Sequence, residues 1–192
     1  MTIKPLHQLR AGVIGTGFIA PVHIENLKRL GVQVTAICGS TKNAQATARK
    51  WGIPEVHGDY DYRALCRSPN VDVIHITSPN KAHVEQVLEA LKAGKHVICE
   101  KPLGMTAKET TKVTVAVKKA GRRGPVFAVN YMCRFFPAVL QMRAMVRRGD
   151  LGRIIHVQGH FFQDWLLEKT DYNWRLLASE GGKLRAVGDI GT

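Results

Sequence analysis

The chain has 192 residues, enough for one full domain and part of a second. At 45% hydrophobic and 22% charged it has an ordinary globular composition, and no run of about 18 apolar residues suggests a transmembrane helix. The net charge of +13 keeps nucleic acid in view as a partner. Apolar runs alternate with helical patterns from residue 11 to about 130. Residues 11–14 read as a buried strand. Residues 18–30 read as a helix, with Pro21 in the first turn, where a missing N–H is tolerated, and Gly31 at the end. Residues 32–38 are a β-branched strand, and 43–51 a short helix with Ala44, Ala48 and Trp51 on one face, stopped by Gly52 and Pro54. Residues 71–77 form a strand, followed by a helix with Val84, Val87, Leu88 and Leu91 at i, i+3, i+4 and i+7 and Gly94 as its stop. Residues 96–99 are strand-like. Thr106 and Glu109 make a capping box for a helix that turns Val113, Ala116, Val117 and Ala120 inward and ends at Gly121. Residues 126–131 are a further strand.

This alternation predicts a parallel, doubly wound sheet of Rossmann type, covered on both faces. The texture changes beyond residue 131. Residues 137–148 read as a helix, and 154–162 alternate as a strand with one exposed face, the kind found in antiparallel sheets. The expected organisation is a nucleotide-binding domain over residues 1–130 and an incomplete α/β, mainly antiparallel, domain over 131–192.

Gly15-Thr16-Gly17-Phe18-Ile19-Ala20 is a G-x-G-x-x-A that follows a strand and opens a helix. Gly15 permits the tight turn, Gly17 lets the backbone approach a diphosphate, and Ala20 lets helix and strand pack closely. The helix N-terminus turns N–H groups and a positive dipole end toward the phosphates. A NAD-selective site usually carries Asp or Glu about 20 residues on. Here that place reads Cys38-Gly39-Ser40-Thr41-Lys42, and no carboxylate lies between Glu25 and Glu55. Hydroxyls and a lysine suit a 2′-phosphate, so NADP is expected ahead of NAD; alternatively Thr41 or Asn43 merely caps the next helix. Glu100-Lys101-Pro102 ends another strand, where open α/β sheets bind ligands. There Lys101 either donates to a substrate hydroxyl, with Glu100 holding it, or forms a surface ion pair of little worth. Ser78-Pro79-Asn80 and His83 stand at a third strand end. Asn80 either caps or bonds a ribose or carboxamide, and His83 is either part of the site or a surface residue.

Taken together, Gly15 to Ala20, Ser78-Pro79-Asn80 with His83, Ala93-Gly94-Lys95-His96-Val97, Glu100-Lys101-Pro102, Asn130-Tyr131 to Arg134-Phe135, and Gly181-Gly182 to Asp189-Ile190-Gly191 resemble the glucose–fructose oxidoreductase / inositol dehydrogenase / rhizopine catabolism (Gfo/Idh/MocA) family. The resemblance covers nearly the whole chain. It implies hydride transfer between the nicotinamide and a hydroxyl-bearing carbon of a sugar, cyclitol or related polyol. It further implies that Lys101 contacts the reacting hydroxyl, that Glu100, Asn80 and Asn130 line the cofactor, that Asp189 sits in the substrate pocket, and that Trp174-Arg175 reaches the nicotinamide end. In the family the Asp189 motif continues as D-x-G-x-H, the histidine being the proton acceptor. The chain ends at Thr192, one residue before that position, so turnover by these residues alone is expected to be impaired. A catalytically incompetent NADP(H)-binding or regulatory module is the alternative.

The basic residues cluster at Lys118, Lys119, Arg122 and Arg123 and at Arg143, Arg147, Arg148 and Arg153. Both groups read as solvated helix faces and ends, and no helix-turn-helix, RRM or zinc-finger signature accompanies them, so nucleic acid is not the expected partner. Cys38, Cys66, Cys99 and Cys133 match no zinc spacing, and no metal is expected; apolar surroundings at three of them suit a reducing cytoplasm. Lys4 and Arg10 before the apolar stretch 11–20 imitate a short signal peptide, but the glycines there have phosphate-loop spacing. A homo-oligomer is expected on the family resemblance.

Overall fold

The strands expected between residues 11 and 131 all pair, and one further short strand joins them. In the computed structural model, which describes residues 4–191, the order is β1 (Arg10–Ile14), α1 (Ala20–Arg29), β2 (Gln33–Cys38), α2 (Thr41–Trp51), β3 (Glu55–His57), α3 (Tyr62–Arg67), β4 (Val73–Ile76), α4 (His83–Lys92), β5 (His96–Glu100), α5 (Ala107–Ala120) and β6 (Phe127–Asn130). The six strands form one parallel sheet in the order β3-β2-β1-β4-β5-β6. The order reverses between β1 and β4, which opens a crevice beyond their carboxyl ends.

Alternate side chains of each strand enter two cores. Ala11, Val13 and Ile37 pack with Ile24 and Leu27 of α1 and Ala44 and Ala48 of α2. Ile14, Ile74, Ile76 and Val97 pack with Leu65 of α3, Val87 of α4 and Val113 of α5. Burial on both faces explains the near-continuous apolar runs in β1, β4 and β5. Side-chain caps set the helix starts: Ser40 for α2, Asp61 for α3 and Thr106 for α5.

Several expectations need correction. The first helix begins at Ala20, because residues 17–19 are spent on the glycine turn. Ser40, not Thr41 or Asn43, caps α2. Ala120, the last residue of α5, is exposed rather than turned inward. β3 and α3 had no periodic signal, being only 3 and 6 residues long. Cys66 lies on α3; it, Cys38 and Cys99 are buried, and Cys133 is exposed.

Residues 154–162 are not a strand, although they alternate as one. A strand is held by its ladder, and no described segment lies beside them to complete one. Among the described residues no strand follows β6; α6 (Pro137–Arg148), α7 (Ala178–Gly181) and α8 (Ala186–Ile190) are the later α-helices. The two basic clusters occupy helix ends and exposed positions, with Lys118, Lys119, Arg147 and Arg148 in the last turns of α5 and α6. Among the described residues no helix is long and apolar enough to cross a membrane.

Candidate active site

The carboxyl ends of β1, β2, β4, β5 and β6 bring the expected residues to one edge of the sheet. After β1, Gly15 adopts φ +111°, and its N–H donates to Cys38 O at 2.9 Å. A Cβ on Gly15 would lie 2.6–2.8 Å from Thr77 Oγ1 and main-chain atoms, so only glycine lets the loop rest against the end of β4. Gly17 meets the opposite condition: nothing lies within 4 Å of where its Cβ would be. Thr16 turns its side chain onto Gly39, where a Cβ would be 2.7 Å from Thr16 Cγ2. Phe18 is 93% exposed at the loop tip, Ile19 is half-buried and Ala20 is fully buried. α1 starts without a side-chain cap, so the positive end of its dipole faces this loop. A tight turn at Gly15, open space over Gly17 and an uncapped helix start fit a diphosphate.

At the end of β4, Ser78 Oγ donates to Gln86 Oε1 at 2.6 Å, and Asn80 is buried with Nδ2 donating to Gly181 O at 3.3 Å. Pro79 leads into the short 3₁₀ turn Asn80–Ala82. His83 is no surface residue. It is 1% exposed, with its ring nitrogens 2.8 Å from Pro102 O and Ser78 O. It sits between the loops after β4 and β5, and the neutral ring donates its single N–H to one of these two carbonyls. Burial pushes its imidazole below the ordinary pKa, against the pull of the two carbonyls.

At the end of β5 the expected pairing is rearranged. Glu100 does not hold the Lys101 ammonium; its Oε2 accepts the Lys101 main-chain N–H at 3.2 Å. Its Oε1 accepts from Asn130 Nδ2 at 2.6 Å and lies 2.9 Å from His23 Nε2. Burial opposes ionisation of Glu100, but bonds from His23, Asn130 and Lys101 outweigh it and hold the carboxyl below its usual range. Lys101 Nζ instead donates to Asp189 Oδ1 at 2.7 Å and Asp189 O at 2.5 Å. Arg175 Nε stands 3.3 Å from Asp189 Oδ2, close enough for an ion pair but without the alignment of a hydrogen bond. The Arg175 guanidinium lies over Trp174, 4.5 Å from the ring centroid. The carboxylate from residue 189 thus joins two cations, one from the sheet and one from the later segment. The position following Thr192, where a histidine is expected, lies outside the described residues, as does Thr192 itself.

Sequence reasoning missed two features. His23 of α1 and His75 of β4 are buried, with Nδ1 atoms 2.9 Å apart and rings edge to face. Burial, then the nearby His23, pushes His75 down to about 3, so it is neutral near pH 7. A histidine amid the isoleucines of a buried strand was the available signal. The second is Asp59. Beyond β2, Thr41 Oγ1 donates to Asp59 Oδ1 at 2.6 Å, and Asp59 N–H donates back to Thr41 Oγ1 at 3.1 Å. A carboxylate therefore stands beside Ser40, Thr41 and Lys42, brought there by the turn after β3.

Residues 9–130 match the oxidoreductase family described as an NAD-binding Rossmann fold, and residues 139–192 match the GFO/IDH/MocA C-terminal domain. The inositol 2-dehydrogenase/D-chiro-inositol 3-dehydrogenase of Lactiplantibacillus plantarum is 36% identical over 161 residues, covering 82% of this chain and 45% of the relative. An oxidoreductase domain protein from Kribbella flavida superposes with a TM-score of 0.88 at 32% identity, covering 95% of this chain and 51% of that one. A levoglucosan dehydrogenase in complex with NADH superposes with a TM-score of 0.84 at 31% identity, covering 95% and 50%. The chain spans about half the length of the relatives it matches.

Proposed function

The chain belongs to the Gfo/Idh/MocA oxidoreductase family, and on that premise we propose that it binds NAD(H) across the carboxyl ends of β1, β2, β4 and β5. In this reading it serves hydride transfer to or from a hydroxyl-bearing carbon of a sugar, cyclitol or related polyol. The observation that carries the reading is that the open surface over Gly17 and the Lys101 ammonium share one edge of the sheet. Bound there, the nicotinamide supplies the hydride acceptor or donor.

The main chain of residues 15–19 grips the diphosphate, with Ser40, Thr41 and Lys42 at the adenosine ribose. Ser78, Pro79, Asn80, Glu100 and Asn130 line the nicotinamide half, with Trp174-Arg175 at its rim, and His83 holds the loops that carry them. A lysine ammonium has three donors, and Asp189 takes two of those on Lys101. The third is directed to the reacting hydroxyl oxygen, where it lowers the cost of deprotonation. Asp189 keeps the ammonium aimed. The NADPH preference expected from residues 40–42 has Asp59 standing against it.

We place the domain boundary near residue 131 and the protein in the cytoplasm, a compartment that suits its buried free thiols. We expect a homo-oligomer. Tryptophan-to-NADH energy transfer tests the binding: saturable uptake is expected, and its absence for both NADH and NADPH overturns the proposal. Coupled NADH formation with a panel of inositols and anhydrosugars tests the chemistry. Lys101→Met is expected to lower kcat about 100-fold while NADH affinity stays within about 3-fold.

A further inference from the structure

We propose that Asp59, in the turn after β3, selects NADH over NADPH; this rests on the dinucleotide reading above. β2 ends without the acidic residue that usually bonds an unphosphorylated ribose. The structure brings a carboxylate to the same place from a neighbouring strand. The turn after β3 is stitched to the end of β2: Gly39 N–H donates to His57 O at 3.2 Å, and Tyr60 N–H donates to Gly39 O at 2.9 Å. Gly58 presses on the start of α2, where a Cβ would lie 2.5 Å from Thr41 Oγ1. Asp59 and Tyr60 follow with φ +51° and +57°, left-handed backbone that residues other than glycine rarely adopt in succession. That turn aims the Asp59 carboxylate at the Thr41 hydroxyl, which it engages reciprocally.

The turn also forms one wall of an open cavity of about 660 Å³ between α2 and β3, whose lining includes Thr41, Gln45, Asp59 and Asp61. Its lining carries two carboxylates and no lysine or arginine, and His57 there bonds Glu55 at 2.9 Å. A ribose 2′-hydroxyl directed to this side finds an acceptor in Asp59. A 2′-phosphate, with close to two negative charges, meets a like charge instead. Lys42 is exposed beside it and offsets only part of this repulsion, because solvent screens it.

The test is a fluorescence titration of the 192-residue chain and of Asp59→Asn with NADH and NADPH in parallel. Asn keeps an acceptor for Thr41 and tolerates left-handed backbone, so the turn is retained, which far-ultraviolet circular dichroism checks. The wild type is expected to bind NADH at least about 10-fold more tightly than NADPH, and Asp59→Asn to narrow that ratio to about 3-fold or less, by tightening NADPH. AMP is likewise expected to displace NADH better than adenosine 2′,5′-bisphosphate does, a comparison that needs no variant. Tighter NADPH binding by the wild type, or an unchanged ratio in Asp59→Asn, overturns the proposal and leaves the dinucleotide reading standing. An equal narrowing in Asp61→Asn, which keeps the α3 cap, overturns the assignment to Asp59. Failure of both coenzymes to bind sinks the dinucleotide reading itself.

Discussion

Ile74 and Ile155 are the same side chain in two settings, 0% exposed in β4 and 87% exposed beyond α6. Both stand in β-branched runs with strand-like patterning. Ile74 sits between β1 and β5, which complete its ladder, and under helices that cover it. Residues 154–162 have no neighbouring strand in the described structure, and Val157 and Phe162 are exposed at 82% and 87% along with Ile155. The contrast teaches that alternation records which face a residue would turn inward once a partner exists. It does not supply the partner.

The most forceful way to break this comparison is a pair of identical truncations. Ile74→Ala removes methylenes from a closed core and is expected to cost about 2–5 kcal/mol. Ile155→Ala removes them from solvent and is expected to stay within about 0.5 kcal/mol. Urea unfolding of both variants decides it: comparable losses would mean that residues 154–162 pack in solution as a strand does.

A smaller effect sharpens the contrast from the polar side. The first region buries a titratable pair, whereas His156 and His160 of the second are exposed. The folded chain holds His75 at about 3, against an unfolded value near 6.5. Above pH 6.5 both states are neutral and stability is fully present. As pH falls below 6.5, the unfolded chain takes up the proton that the fold excludes, and stability declines. Glu100 and Asp72 are also held below their ordinary values, but their losses come in the lower carboxylate range. In the interval from pH 6.5 to 5 His75 acts together with His83, which burial also holds below its ordinary value, and the His75 share is an expected loss of about 1–2 kcal/mol. In His75→Gln, which can still bond His23, that part of the slope should vanish from urea midpoints measured across the interval. An unchanged slope would show that His75 titrates normally.

The same division explains what was legible in the sequence. The glycine loop, the Lys101 strand end and Asn80 could be located because each lies where a strand hands over to a helix, a junction that periodicity marks. The doubly wound order followed from the alternation of periods. His23 and Asp59 were invisible, and His75 was marked only by its place among isoleucines, because their roles come from residues far along the chain: His23 meets Glu100, and Asp59 reaches Thr41 only once β3 has joined β2. The expected Glu100–Lys101 pairing failed for a similar reason. Glu100 is the last residue of β5 and is engaged by His23 and Asn130, and the partner of the ammonium came from residue 189.

The smallest expected effects compare two helix starts. α5 opens with two side-chain bonds: Glu109 N–H donates to the N-cap Thr106 Oγ1 at 3.2 Å, and Glu109 Oε2 accepts from Met105 N–H, one residue before the cap, at 2.7 Å. α6 opens at Phe136 with no side-chain cap, and none of its residues is buried. Thr106→Ala should therefore cost about 1 kcal/mol and lower the global unfolding midpoint, because Val113 of α5 belongs to the core. Phe136→Ser adds the missing acceptor to α6 ahead of Pro137 and should stabilise that helix by several tenths of a kcal/mol. Since α6 buries nothing, the gain should be seen as slower amide exchange in its first turns, with the global midpoint unmoved. If Phe136→Ser raised the global midpoint as much as Thr106→Ala lowers it, α6 would have to unfold together with the sheet, and the two regions would be one cooperative unit.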